Sequence, residues 1–118
     1  MIEAPVIIFG SVLSDAGCAR EVNEDCGVCI HPGDGELLSA KGVLAIVADG
    51  MGGHSAGEVA SRVAIEAIGN YYYETNASCK EALTEAFRYA NRRIYAHAQE
   101  QAGLNGMGTT CTAIALRA

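Results

Sequence analysis

The chain has 118 residues, half of them hydrophobic, with 14 acidic and 8 basic side chains and no tryptophan. One domain of this size buries roughly two-thirds of its unfolded surface, and so apolar a composition excludes a disordered tail. No apolar run approaches the ~20 residues of a membrane span, no charged-then-apolar leader is expected, and a net charge of −6 lacks the basic face of a nucleic-acid binder.

In chain order, residues 6–13 are apolar and rich in β-branched side chains, which predicts a strand. A polar, acid-rich turn over 14–23 leads to a second strand around 25–31. Pro32-Gly-Asp-Gly35 is loop chemistry of the kind that joins antiparallel strands. Residues 42–48 (GVLAIVA) form a continuous apolar run of strand length, expected to be buried on both faces and to end abruptly at Asp49-Gly50.

Two helices are predicted next. Ser55-Ala-Gly-Glu58 has the capping-box pattern, and Val59, Val63 and Ala67 with Ala60, Ala64 and Ile68 make an apolar stripe at helical spacing. Ser78-Cys-Lys-Glu81 repeats the capping pattern ahead of the stripe Leu83, Phe87, Ala90, Ile94 and Ala98, with Gly103 as the expected stop. Residues 109–116 read as a closing strand. The order β-β-β-α-α-β is not βαβ alternation. It predicts an α+β fold in which an antiparallel sheet carries a helical hairpin on one face.

The acidic excess is local. Residues 15–58 hold eight acids and two bases, and the rest of the chain is balanced at six of each. Such a cluster is either a solvated face or a carboxylate site whose repulsion is offset by bound cations. The five cysteines (Cys18, Cys26, Cys29, Cys79, Cys111) are odd in number and fit reduced thiols in the cytoplasm. Cys26 and Cys29 have CxxC spacing, but on a strand they point to opposite faces, which disfavours shared zinc ligation.

Three segments carry chemistry. Arg20 precedes Asn23-Glu24-Asp25 at a turn entering a strand, the pattern of a polar loop with a local ion pair. Asp49-Gly-Met-Gly-Gly-His54 follows an apolar strand. An aspartate there, followed by glycines, suits an oxygen-ligand metal site, a flexible turn before a helix, or a backbone nest for an anion. Gly106-Met-Gly-Thr-Thr110, by itself, reads as a turn.

Taken together, these segments resemble the N-terminal half of the metal-dependent type-2C (PPM) protein serine/threonine phosphatases, in their bacterial form. The resemblance rests on Ser14-Asp-Ala-Gly17, on Arg20 to Asp25, on Val47-Ala-Asp-Gly-Met-Gly-Gly-His-Ser-Ala-Gly-Glu58, on Ala90-Asn91 and on Gly106 to Thr110. These run in order from about residue 11 to 116.

The resemblance implies an antiparallel β-sandwich flanked by helices, of which residues 1–118 are a partial domain. It implies a centre of two Mn²⁺ or Mg²⁺ ions, with Asp49 bridging them and the Gly50 carbonyl binding one. Glu24 and Asp25 lie beside the metals in that scheme, as ligands or as anchors of coordinated water. Arg20 holds the substrate phosphate through its planar fork. A metal-bridging hydroxide attacks phosphorus in line. Phosphorylated proteins are the implied substrates, with an opposing serine/threonine kinase, no nucleic-acid or membrane partner, and a cytoplasmic location.

Two departures from the family pattern stand out. Met51 occupies the position where some members place a histidine after Asp-Gly, and His54 is expected to pack at the helix entry instead. The later metal-binding aspartates of the family have no counterpart after Thr110, so weak metal binding and little activity are expected of this chain alone. The same shortfall predicts uncovered sheet surface, open to aggregation or to pairing with another chain. A catalytically inactive binding or regulatory module is the competing reading. A nucleotide site is disfavoured because no lysine follows the glycines until Lys80.

Overall fold

The computed structural model describes residues 6–18, 22–53 and 56–118. Strand β1 (Asp25–Ile30) is followed by a short helix α1 (Gly35–Lys41), strand β2 (Val43–Met51), the helices α2 (Ala56–Glu74) and α3 (Cys79–Glu100), a 3₁₀ turn (Ala102–Leu104) and strand β3 (Gly108–Leu116). The sheet order is β1-β2-β3, antiparallel throughout, with β2 in the middle. The expected α+β class, an antiparallel sheet with a helical hairpin on one face, is what these elements form.

Four expectations about elements need correcting. Residues 6–13 form no strand. They pass over the sheet through side-chain contacts, Val12 against Gly27 and Gly10 against the Cys29 thiol, and not through a backbone ladder. Phe9 and Leu13 are left almost fully exposed. The β1–β2 connection is not a plain loop either. Asp34 Oδ1 accepts backbone bonds from Glu36 (2.9 Å) and Leu37 (3.0 Å), an N-cap that starts α1.

Strand β2 does not end at Asp49-Gly50, because pairing with β3 carries it on to Met51. Nor is it buried on both faces. Leu44, Ile46 and Ala48 are buried, whereas Val47 is 58% exposed. The apolar run has one face under helices, while on the other face exposure rises along the strand from buried Val43 to exposed Val47.

The helix predictions hold with a shift of detail. Ala60, Val63, Ala64, Ala67 and Ile68 of α2 are buried as expected, and Val59 is half-buried. In α3 the fully buried row is Ala82, Ala86 and Ala90, while Leu83 and Phe87 flank it half-buried. Alanines permit the closest helix approach, so the small row takes the seam and the large side chains seal its edge. Ser78 Oγ accepts from Glu81 N at 3.4 Å, the expected cap. Helix α3 stops at Glu100, ahead of the 3₁₀ turn that contains Gly103.

One core joins Leu44, Ile46 and Ala48 of β2 to Ile65, Ile68 and Tyr72 of α2 and to the alanine row of α3. A smaller cluster, Ala56, Ala60, Leu104 and Met107, ties the start of α2 to the turn before β3. That second cluster anchors the segments on either side of Asp49 and Thr110.

Candidate metal centre

Register builds the site. Asp25, the first residue of β1, is the direct antiparallel partner of Asp49, and Asp49 is the direct partner of Thr110 on β3. Residues paired this way place their side chains on one face of the sheet, with Cβ atoms roughly 5 Å apart. Two carboxylates and a hydroxyl therefore stand in a row across three strands, on the face turned away from the helices.

They line a cleft of about 320 Å³, which Asp15 and Ser14 of the N-terminal segment also border. Asn23 ties that segment to β1. Its Nδ2 donates to Ser14 Oγ at 2.6 Å, and its Oδ1 accepts from Asp25 N at 3.1 Å. Thr110 Oγ1 donates to Asp49 O at 3.4 Å, and Gly17 N donates to Asp15 Oδ1 at 2.7 Å.

Glu24 is placed differently. Its backbone carbonyl accepts from Gly50 N at 3.1 Å, which extends the β1–β2 contact by one residue. Its carboxylate lies against Gly57 in the first turn of α2, where a Cβ on residue 57 would stand 2.8 Å from Glu24 Oε1. Side chains alternate along the strand entry, so Glu24 faces the helix while Asp25 faces the cleft. Gly50 points the same way as Glu24, and a Cβ there would overlap the Gly57 carbonyl. Glycine at both positions lets the end of β2 and the start of α2 touch backbone to backbone.

Of the residues singled out from sequence, Asp25 and Asp49 share one cleft, Gly50 adjoins it in β2, and Glu24 sits at its edge toward α2. Arg20 lies outside the described residues, as do His54 and Ser55. Asp15 and Thr110 border the cleft although sequence gave neither a role. The motifs containing them, Ser14 to Gly17 and Gly106 to Thr110, were the available signal. Met51 continues β2 beyond the carboxylates, 56% exposed and opposite Gly108. Cys26 packs toward the core while Cys29 touches Gly10 on the other face, so the CxxC pair is divided as its spacing predicts.

The donor set is all oxygen, which suits a hard divalent cation better than zinc. It is also sparse. Among the described residues no three His, Cys, Asp or Glu side chains gather as a metal cage. The arrangement can contribute part of a coordination sphere, with the remaining positions open to water or other donors. No helix among the described residues is long and apolar enough to cross a membrane.

Comparison with known proteins agrees with the motif reading. The family model for Protein phosphatase 2C matches residues 29–118. The serine/threonine phosphatase stp of Listeria innocua is 37% identical over 105 residues, spanning 85% of this chain and 39% of that protein. The Staphylococcus aureus serine/threonine phosphatase Stp1 structure superposes with a TM-score of 0.71 at 31% identity, over 98% of this chain and 46% of that one. The catalytic domain of the serine/threonine protein phosphatase PstP, solved in complex with two manganese ions, gives 0.68 at 37% identity over 88% of this chain and 41% of that one. The chain thus spans about two-fifths of the length of these relatives. With a family match over most of its residues, the chain belongs to the protein phosphatase 2C family.

Proposed function

We propose that this chain forms the N-terminal part of a cytoplasmic, metal-dependent centre that hydrolyses phosphoserine and phosphothreonine in proteins, opposing a serine/threonine kinase. The observation that carries the proposal is the direct pairing of Asp25 with Asp49 on an open sheet face. In this reading Asp49 and the Gly50 carbonyl hold the ions, Asp25 holds an ion or its coordinated water, and Glu24 does the same from the α2 side. Arg20 grips the phosphate. Two Mn²⁺ or Mg²⁺ ions, when bound, supply the Lewis acidity that makes water a nucleophile near neutral pH and neutralise the phosphate charge.

The chain's own residues orient that chemistry. The β1–β2 register fixes the spacing of the two carboxylates, and Asn23 holds the entry to β1 through Asp25 N. Thr110 borders the cleft from the third strand. A second reading, an inactive module that retains the phosphatase surface, is favoured by the small number of carboxylates gathered among the described residues against the six oxygens magnesium prefers.

Mn²⁺ titration followed by electron paramagnetic resonance, with parallel p-nitrophenyl phosphate hydrolysis, separates these readings. Weak Mn²⁺ binding that Asp49→Asn removes is expected. Mn²⁺ binding that Asp49→Asn leaves unchanged would overturn the metal centre. Turnover abolished by Asp49→Asn excludes the inactive module, and binding without turnover supports it.

A further inference from the structure

The groove between α2 and α3 lies on the opposite side of the sheet from Asp25 and Asp49, and nothing in the phosphatase reading uses it. Two rows at four-residue spacing form its walls: Arg62, Glu66 and Asn70 on α2, and Tyr89, Arg93 and His97 on α3. Residues four apart stack on one face of a helix, so each row projects along one line. The Tyr71–Tyr89 ring pair, with centroids 5.3 Å apart, fixes the register of the antiparallel hairpin at one end. Stepping by turns from that pair brings the Arg93 level to Glu66 and the His97 level toward Arg62.

The groove encloses about 290 Å³. Its charges are two guanidiniums against one carboxylate, a local excess of positive charge in a chain of net charge −6. Neither guanidinium makes an ion pair or hydrogen bond among the described residues, in contrast to Arg88, which bonds Glu85 at 2.9 Å on the same helix. His97 Nδ1 is enclosed and has no hydrogen-bond partner. Two guanidinium forks without partners among the described residues, the Asn70 amide and the His97 imidazole thus border one concavity. Guanidinium forks match the oxygens of a tetrahedral anion in pairs.

We infer that the α2–α3 groove is a binding site for a phosphate-class oxyanion, carried as free phosphate or as a phosphorylated side chain, with Arg62, Arg93 and His97 as its ligands.

The test is a titration of the metal-free chain, with chelator present, by inorganic phosphate and separately by a phosphoserine peptide. The His97 ring and the Arg62 and Arg93 Nε–Hε groups are followed by NMR. Saturable shifts at these residues are expected for at least one probe. The Arg62→Gln/Arg93→Gln variant, altered only at exposed positions, should bind about tenfold or more weakly while its core resonances stay in place. Response to phosphate alone identifies a free-anion site, and response to the peptide alone identifies a phosphoryl side chain. No saturable shift at His97 from either probe, undiminished binding by the double variant, or shifts confined to Asp25 and Asp49 would each overturn the inference.

Discussion

Asp25 and Asp49 are direct antiparallel partners, two carboxylates set side by side at the open end of the sheet. Like charges directly opposite in a ladder cost stability, on the order of 0.2–1 kcal/mol. If the pair holds a cation as proposed, that cation offsets the repulsion between the two carboxylates. Asp49→Asn should raise the stability of the metal-free chain by about 0.5 kcal/mol and remove the stabilisation that Mn²⁺ confers on the unmutated chain. Urea unfolding with and without Mn²⁺ measures both effects. Asp49→Asn destabilising the metal-free chain would show that Asp49 is held by favourable local contacts and not by tolerance of repulsion.

The second prediction concerns Gly57, in the first turn of α2. Glycine to alanine inside a helix ordinarily stabilises by about 1 kcal/mol. Here a Cβ would stand 2.8 Å from Glu24 Cδ and 2.8 Å from the Gly50 carbonyl carbon. One obstacle is a side chain that can swing away, and the other is backbone that cannot. Gly57→Ala should destabilise by about 1–3 kcal/mol, and adding Glu24→Ala should recover only part of the loss. Chemical denaturation of the two variants decides it. Stabilisation by Gly57→Ala would mean that α2 and β2 separate at no cost.

Much of this arrangement was legible in the sequence. The closing strand, both long helices and the Ser78 cap follow from local pattern, because each depends on contacts within a few residues. What was not legible depends on what lies across the sheet. Residues 6–13 have strand composition, but a strand exists only where a backbone edge is offered, and Val12 and Gly10 meet a face instead. The run over 42–48 is uniformly apolar, so its period could not reveal that Val47 faces outward while Ile46 is buried. The pairing of Asp25 with Asp49 is a matter of register, fixed by a connection whose helix α1 was hidden behind an ordinary Pro-Gly-Asp-Gly turn. Only Asp34, two residues before Glu36, signalled that a helix begins there.

The third prediction follows from Lys41, a buried lysine at the end of α1. Its Nζ donates to Tyr72 O at 2.9 Å and Thr75 O at 2.7 Å, carbonyls at the C-terminal end of α2, and sits 5.1 Å from the Tyr72 ring centroid. Tyr72 OH donates back to Lys41 O at 2.6 Å. A cation there satisfies orphan carbonyls and complements the helix dipole. Lys41→Met keeps the apolar stem and leaves both carbonyls unmet, at a cost of about 2–4 kcal/mol. Mn²⁺ affinity should not change, because Asp49 lies at the other end of β2, roughly 20 Å away along the strand. A thermal melt and a Mn²⁺ titration of the same variant test both halves. A more stable Lys41→Met chain would show that burying the charge costs more than its bonds return.

The fourth prediction is alkaline sensitivity. Burial pushes the Cys111 thiol up from 9.0 to about 11 and the Tyr73 hydroxyl up from 10.0 to about 12, and it raises Tyr72 as well. For all three the folded chain keeps its proton after the unfolded chain has lost it. The folded state then binds more protons, so stability falls as pH rises past the unfolded values. Burial lowers Lys41 below its ordinary 10.5, with the opposite sign: in that window the unfolded chain holds the extra proton and stability rises with pH. Three groups oppose one, and the thiol acts first. The urea midpoint should decline from about pH 9 upward, beginning with Cys111 and steepening as the tyrosines of the unfolded chain ionise. Cys111→Ala should flatten the first part of that decline, between 9.0 and the tyrosine onset near 10.0, and leave the later part in place. An unchanged profile in Cys111→Ala would assign the early loss to some other group and remove the thiol's burial as its cause.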